Sequence, residues 1–267
     1  MENSENAFQP HLETFFTSIN SLKTKSSHVE GLLSRSMNDY EKNYKDFPVK
    51  TLSFTALIIS DWSGEHPGNW VVRKHTGIID SITLDNYRDE TKKIISFHCC
   101  STFAQCFERL SSFLKDIAIE NGRIHPETLN YSDKSTKEIK IYNRQTIPGG
   151  DAIFDIIKAS SDGLLMKYSK ENVFKIKFTE FWKVISVFRH SITHSSSIFP
   201  VNKIPQSIYY NTLLQYLFPN TEIHQSNIHI ILEFGDLSKL VSTLAEFAFQ
   251  IFKIYSIKEK MEWDIYK

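Results

Sequence analysis

Hydrophobic positions in this chain recur mostly every three or four residues, the spacing that places side chains on one face of an α-helix. Two helices are predicted over 10–46, the second and more polar one from about Val29 to Tyr44. A long helix is predicted from about Glu90 to Glu120, and Asn121-Gly122 is predicted to end it, because glycine tolerates the left-handed conformation that follows a helix.

The C-terminal part of the chain carries the most regular stripe. A last helix is predicted over about 236–260, with a heptad-like seam that must pack on another helix. The seam consists of Leu237, Leu240, Leu244, Phe247, Ile251 and Ile254. Shorter helices are predicted over 148–162, with Asp151 as a candidate cap, and over 207–217. Alternating β-branched residues around Ser226-Asn227 predict a hairpin within 221–234. The predicted fold is an all-α bundle with a small β-hairpin.

Two regions are predicted from these patterns: an N-terminal helical extension over 1–89 and a helical bundle over 90–267. The polar segment 121–147 reads as a linker-like insertion within the bundle. The alternative is one continuous domain.

Net charge and hydropathy argue against a protein that binds nucleic acid or membranes through its overall charge, and against a secreted or membrane-spanning protein. The chain has 31 Lys and Arg against 31 Asp and Glu, so no net charge attracts nucleic acid or an anionic membrane. The first ten residues are polar and acidic, unlike a signal peptide, and no apolar run approaches the roughly 18 residues that cross a bilayer. A cytoplasmic protein without membrane partners is expected.

Three cysteines lie close together, at Cys99, Cys100 and Cys106, and His98 precedes them. An odd number without a paired framework suits a reducing compartment. Buried thiols on a helix are the expected arrangement, and a metal site is the alternative.

Candidate chemistry lies in FWKVISVFRHSITHSSS, residues 181–197, on a helix predicted from about Thr179 to His194. At 100° per residue, its large apolar residues fall within an arc of roughly 120° that faces the core. Arg189 lies at the edge of this arc. His190 and His194, four residues apart, share a different face with Lys183 and Val187.

Arg189 and His194 are about 140° apart on a regular helix. They converge on one ligand only if the helix ends, loosens or meets a symmetric copy of itself.

The segment that leads into the motif is weakly basic. From Lys158 to Arg189 there are seven Lys or Arg against three Asp or Glu, and this excess indicates either a solvated face or a surface that attracts phosphate. TIPGGD, 146–151, is either a plain turn or an anion site at a helix N-terminus.

Arg189-His190-Ser191-Ile192-Thr193-His194 resembles the signature motif of HEPN-domain proteins, an Arg, a polar residue, three further positions and a His. The resemblance covers at most about 90–260. It implies an all-α bundle that forms a homodimer with two motifs facing a shared cleft. Many members are metal-independent endoribonucleases, among them toxins and anti-phage effectors, so RNA is the implied substrate and an antitoxin or sensor protein a possible partner.

The resemblance implies catalytic roles for three residues and requires no metal or other cofactor. His194 is expected to act as acid or base, because histidine titrates near neutrality. Arg189 is expected to hold the scissile phosphate with its planar fork. His190 is expected to orient the cleft or contact phosphate. The RNA 2′-hydroxyl is the nucleophile, and a second His194 in the dimer supplies the other proton carrier.

Three alternatives stay open from the sequence. Charged histidine and arginine side chains at a helix C-terminus stabilise the helix dipole without further function. His190 and His194 at i, i+4 have the spacing of zinc ligands, although position 191 is Ser where metalloproteases have Glu. The third alternative is a non-catalytic HEPN module that binds RNA, a nucleotide or a protein.

Overall fold

The structure is a computed structural model. It describes residues 6–43, 51–53, 56–63, 73–83, 85–132, 139–195 and 197–266. These residues are mostly helical, which confirms the predicted helical class. They form two compact units, one of residues 1–28 and 96–267 and the other of residues 29–95.

The described residues form seven α-helices, two 3₁₀ turns and nine short strands. The helices are α1 (Gln9–Asn43), α2 (Tyr87–Ile124), α3 (Asp151–Ser160), α4 (Leu164–Glu171), α5 (Phe178–His194), α6 (Ile208–Leu217) and α7 (Phe234–Lys258). The strands are β1 (Thr51–Ser53), β2 (Ile58–Ser60), β3 (Arg73–His75), β4 (Ser81–Thr83), β5 (Asn130–Ser132), β6 (Ile139–Ile141), β7 (Ile198–Pro200), β8 (Glu222–His224) and β9 (Asn227–His229). The 3₁₀ turns are Pro126–Leu129 and Val201–Lys203.

Two helices differ from their predicted bounds. The stretch predicted as two helices is the single helix α1, since a polar interval does not interrupt backbone hydrogen bonding. Asn121-Gly122 does not end α2, which continues to Ile124. Gly122 instead allows a close approach, because a Cβ at this position would lie 2.1 Å from Leu129 Cδ1. The glycine reflects packing against the 3₁₀ turn and not a helix end.

The core of the larger unit is built around α7, and all six residues of its predicted seam are buried. Its start is set by a capping box, in which the Glu233 backbone N–H donates to Asp236 Oδ2 at 3.0 Å. By length and composition α7 would be able to cross a membrane, but 61% of its apolar window is buried inside the protein, as in the core helix of a globular domain.

The α2 residues that belong to the larger unit line the same core. Phe103, Cys106, Leu110, Leu114 and Ile117 form an apolar stripe at helical spacing along α2, and all five are buried. The Tyr255 hydroxyl of α7 lies 2.6 Å from Ser160 Oγ and donates to the Ile157 carbonyl at 3.1 Å. These bonds join α7 to α3 inside the core.

The β-structure is more extensive than the single predicted hairpin. The hairpin exists as β8–β9, with Gln225 at φ 55° in the turn, and β7 adds a third strand to it. Three further antiparallel pairs of three residues each are present: β5–β6 in the larger unit, and β1–β4 and β2–β3 in the smaller.

The smaller unit combines the end of α1 with the start of α2. Arg88 donates to both oxygens of Glu41, at 2.7 and 2.9 Å. The rings of Tyr40 and Tyr87 stack with their centroids 3.8 Å apart.

Candidate functional site

Helix α5 lies as the sequence predicts, from Phe178 to His194, with its aromatic residues in the core of the larger unit. Phe188 is completely buried. Its ring stacks on Phe218 with centroids 3.6 Å apart and meets the edge of Phe199 at 5.1 Å. These contacts set the rotation of α5, so the residue after Phe188 is held at the border of the core.

That residue is Arg189, whose side chain is 29% exposed. Its Nη2 donates to Oε1 of Glu108, which lies on α2 and is 54% exposed. Arg189 Nε is buried and has no hydrogen-bond partner among the described residues. The guanidinium therefore has one carboxylate partner and unused donor capacity.

The two histidines of the motif lie on the outer face of α5. His190 and His194 are both exposed, and their ring centroids are 4.7 Å apart. His194 is the last residue of the helix. This is the neighbouring arrangement that an i, i+4 spacing produces on a regular helix.

A cleft of about 510 Å³ lies beside α5. Its lining residues come from α2, the start of α3, α5, and β7 with the turn that follows it. They are Phe107, Gly150, Asp151, Lys183, Ser186, Val187, Arg189, His190, Ser191, Ser195, Phe199, Pro200 and Lys203. We call this the α5 cleft. Arg189 and His190 line it and His194 does not, so one chain brings two of the three motif residues together.

The α5 cleft carries more positive than negative charge. Lys183, Arg189 and Lys203 line it together with one carboxylate, that of Asp151. Asp151 was predicted as a helix cap, but it is the first residue of α3, and Gly150 occupies the cap position. Its Oδ1 accepts a hydrogen bond from Trp182 Nε1 at 3.1 Å, and a carboxylate in the first turn is stabilised by the helix dipole.

The end of α5 directs the chain back toward the cleft. Ser197 has φ 65°, and its N–H donates to the Ser191 carbonyl at 3.2 Å. The chain then enters β7, which pairs with β9, and the Val201 N–H donates to the Ser226 carbonyl at 2.9 Å. This path brings Lys203 to the cleft. Because Lys203 is distant from the motif in the sequence, helical periodicity could not predict that this lysine lines the cleft.

The three cysteines are buried on α2, as expected. Burial raises the pKa of Cys106 to about 12 and also raises that of Cys100. Among the described residues, no group of three His, Cys, Asp or Glu side chains is placed to hold a metal ion. The zinc alternative for His190 and His194 therefore has no third protein ligand in the described part of the chain.

No family model, no curated protein and no solved structure matches this chain. The α5 cleft and its charges are consequently the basis on which function is inferred.

Proposed function

We propose that this chain is a metal-independent endoribonuclease of the HEPN type, which cleaves RNA through attack by the 2′-hydroxyl on the adjacent phosphate. The observation that carries the proposal is that Arg189 and His190 line one cleft with Lys183 and Lys203. A concave site with excess positive charge attracts a phosphodiester backbone.

In this mechanism the Arg189 guanidinium binds the scissile phosphate and offsets the negative charge that develops on it. Those of its N–H groups that do not bind Glu108 supply the donors. Glu108 competes for the same guanidinium, so phosphate displaces this carboxylate or shares the arginine with it.

His194 acts as the general acid or base, and His190 orients the bound strand or contacts phosphate. One proton carrier removes the 2′-hydroxyl proton, while another protonates the leaving 5′-oxygen. The products carry a 2′,3′-cyclic phosphate and a 5′-hydroxyl. Because His194 lies outside the cleft of its own chain, a homodimer in which a second α5 faces the first supplies the second His194.

The cellular setting that fits this activity is a cytoplasmic toxin or anti-phage effector held in check by an antitoxin or sensor protein.

The experiment is cleavage of single-stranded RNA by purified protein in EDTA. Arg189→Ala and His194→Ala are expected to abolish cleavage without changing the circular dichroism spectrum. His224→Ala is the matched control, because this histidine is 71% exposed and lies on β8. Cleavage that survives both motif substitutions shows that the activity has another source, such as a contaminating nuclease. Loss of cleavage in EDTA contradicts the metal-independent mechanism.

A second candidate is a non-catalytic HEPN module that binds RNA. The position of His194 favours it, since this proton carrier lies outside the cleft that Arg189 and the two lysines line. RNA binding without cleavage, with affinity lost in Arg189→Ala, is the result that selects this candidate.

A further inference from the structure

Two lysines reach the α5 cleft from different elements of the larger unit. Lys183 lies on α5, six positions before Arg189 and about 9 Å from it along the helix axis. Lys203 ends the 3₁₀ turn after β7. The cleft is thus lined by cations from two segments, since Lys183 and Arg189 belong to α5 and Lys203 to the turn after β7.

The carboxylates around the cleft do not cancel this charge. Asp151 is engaged by Trp182 Nε1 and by its position in the first turn of α3. Glu108 pairs with Arg189. If both carboxylates are set against the three cations, one positive charge remains. Lys183 and Lys203 form no ion pair within the described part of the chain. An anion that enters the cleft meets their ammonium groups in addition to the guanidinium.

We propose that Lys183 and Lys203 bind the backbone phosphates of single-stranded RNA next to the phosphate at Arg189, an inference that rests on the proposed function. Lysine suits this role, because its ammonium is a compact charge with three donors on a flexible stem and does not require a fixed phosphate orientation. Proteins that hold single strands use such a positively charged groove to follow the backbone. The cleft volume of about 510 Å³ lies within the range of ligand sites.

The test measures binding apart from cleavage. The probe is a fluorescein-labelled 2′-O-methyl RNA of about 12 nucleotides, which spans a single-strand site and has no free 2′-hydroxyl to attack. Affinity is measured by fluorescence anisotropy over a range of salt concentrations. The proteins are wild type, Lys183→Ala, Lys203→Ala, the double variant, Arg189→Ala, and Lys170→Ala as a control. Lys170 is an exposed lysine on α4 that does not line the cleft.

Each cleft lysine is expected to contribute about tenfold in affinity at low salt, the equivalent of one hydrogen bond to a charged group. The slope of log affinity against log salt should become shallower by roughly 0.7 for each lysine removed, since each neutralised phosphate of a single strand releases that share of counterions. Lys170→Ala should bind as wild type does. Thermal unfolding checks each variant, and Lys→Gln replaces any alanine variant that unfolds at a lower temperature.

The outcomes separate this inference from the proposed function. Wild-type affinity and slope in the double variant, with binding lost in Arg189→Ala, overturn the role of the lysines and leave the nuclease proposal intact. Weakened binding in the lysine variants, in a protein that cleaves no RNA, supports the cleft as a strand-binding site and contradicts the nuclease. A wild-type protein that does not bind the probe overturns the role of the lysines, and the cleavage assay in EDTA then decides the nuclease proposal separately.

Discussion

Arg189 of α5 is paired with Glu108 of α2 through Nη2 and Oε1, while the Nε of the same guanidinium is buried without a partner among the described residues. Arg189, the first residue of the motif, is therefore oriented by a carboxylate and has further N–H groups that this ion pair does not use. An anion in the α5 cleft has to compete with Glu108, which makes this carboxylate a direct probe of what Arg189 binds.

Neutralising Glu108 is expected to strengthen RNA binding. Glu108→Gln keeps the shape of the side chain and removes its charge, so the guanidinium is no longer shared with an anion. Because an exposed ion pair contributes about 0.2–1 kcal/mol, we expect affinity for the 2′-O-methyl strand to rise up to about fivefold, with a similarly small loss of stability. Anisotropy measures the change. Glu171→Gln, an exposed position on α4, is the control, and unchanged or weaker binding in Glu108→Gln would show that the pair does not compete with RNA.

The proposed composite site predicts a homodimer in solution. Sedimentation equilibrium should give twice the chain mass of 31.0 kDa. Because His190 and His194 are exposed on the outer face of α5, a single cysteine introduced there as Thr193→Cys should form a disulfide between chains that meet at this face. A monomer at concentrations where RNA is cleaved would exclude a site shared between two copies.

Removing the ring of Phe188 should destabilise the protein more than any change of the exposed motif residues. Phe188 is fully buried and stacks on Phe218, so Phe188→Ala is expected to cost about 3–5 kcal/mol of unfolding free energy. Urea denaturation measures the loss. Phe174→Ala is the control, since that ring is 72% exposed. A loss below about 1 kcal/mol in Phe188→Ala would mean that this ring does not anchor α5.

The buried hydroxyl of Tyr255 should matter for stability in its own right. Tyr255→Phe removes its contact with Ser160 Oγ and its bond to the Ile157 carbonyl. Loss of two buried hydrogen bonds, each of which contributes about 0.5–1.5 kcal/mol, is expected to cost about 1–3 kcal/mol. Tyr216→Phe, at a residue that is 42% exposed, should change the unfolding free energy by much less. Equal effects of the two substitutions in urea denaturation would contradict the contribution of the buried bonds.

Cys106 should make stability fall in alkaline solution. Burial raises its pKa to about 12, above the usual thiol value near 9, so the folded state keeps a proton that the unfolded state loses. This contribution is fully present below pH 9 and is lost as the pH rises toward 12. The stability difference between wild type and Cys106→Ala should shrink by about 1.4 kcal/mol per pH unit over this window. A difference that stays constant from pH 8 to 11 in urea denaturation would show that the thiol titrates normally.

Local periodicity was sufficient to predict α2 and α7. The seam of α7 and the apolar stripe of α2 repeat over several turns, and each repeat is reinforced by burial on one face. Local patterns gave wrong helix bounds at two places, and each has a physical reason. The polar interval in α1 suggested a break where the backbone needs none, and Gly122 suggested an end where the neighbouring Leu129 requires the absence of a side chain.

The sequence by itself determined that α5 has an apolar face, that Arg189 lies at the edge of this face and that His190 and His194 share another, because helical geometry relates residues a few positions apart. Only the tertiary structure decided that Glu108 pairs with Arg189, that Asp151 and Lys203 line the same cleft, and that His194 lies outside it. These relations join residues distant in the chain, and they depend on how α2, α3 and the β7 turn pack around α5, which no local pattern encodes.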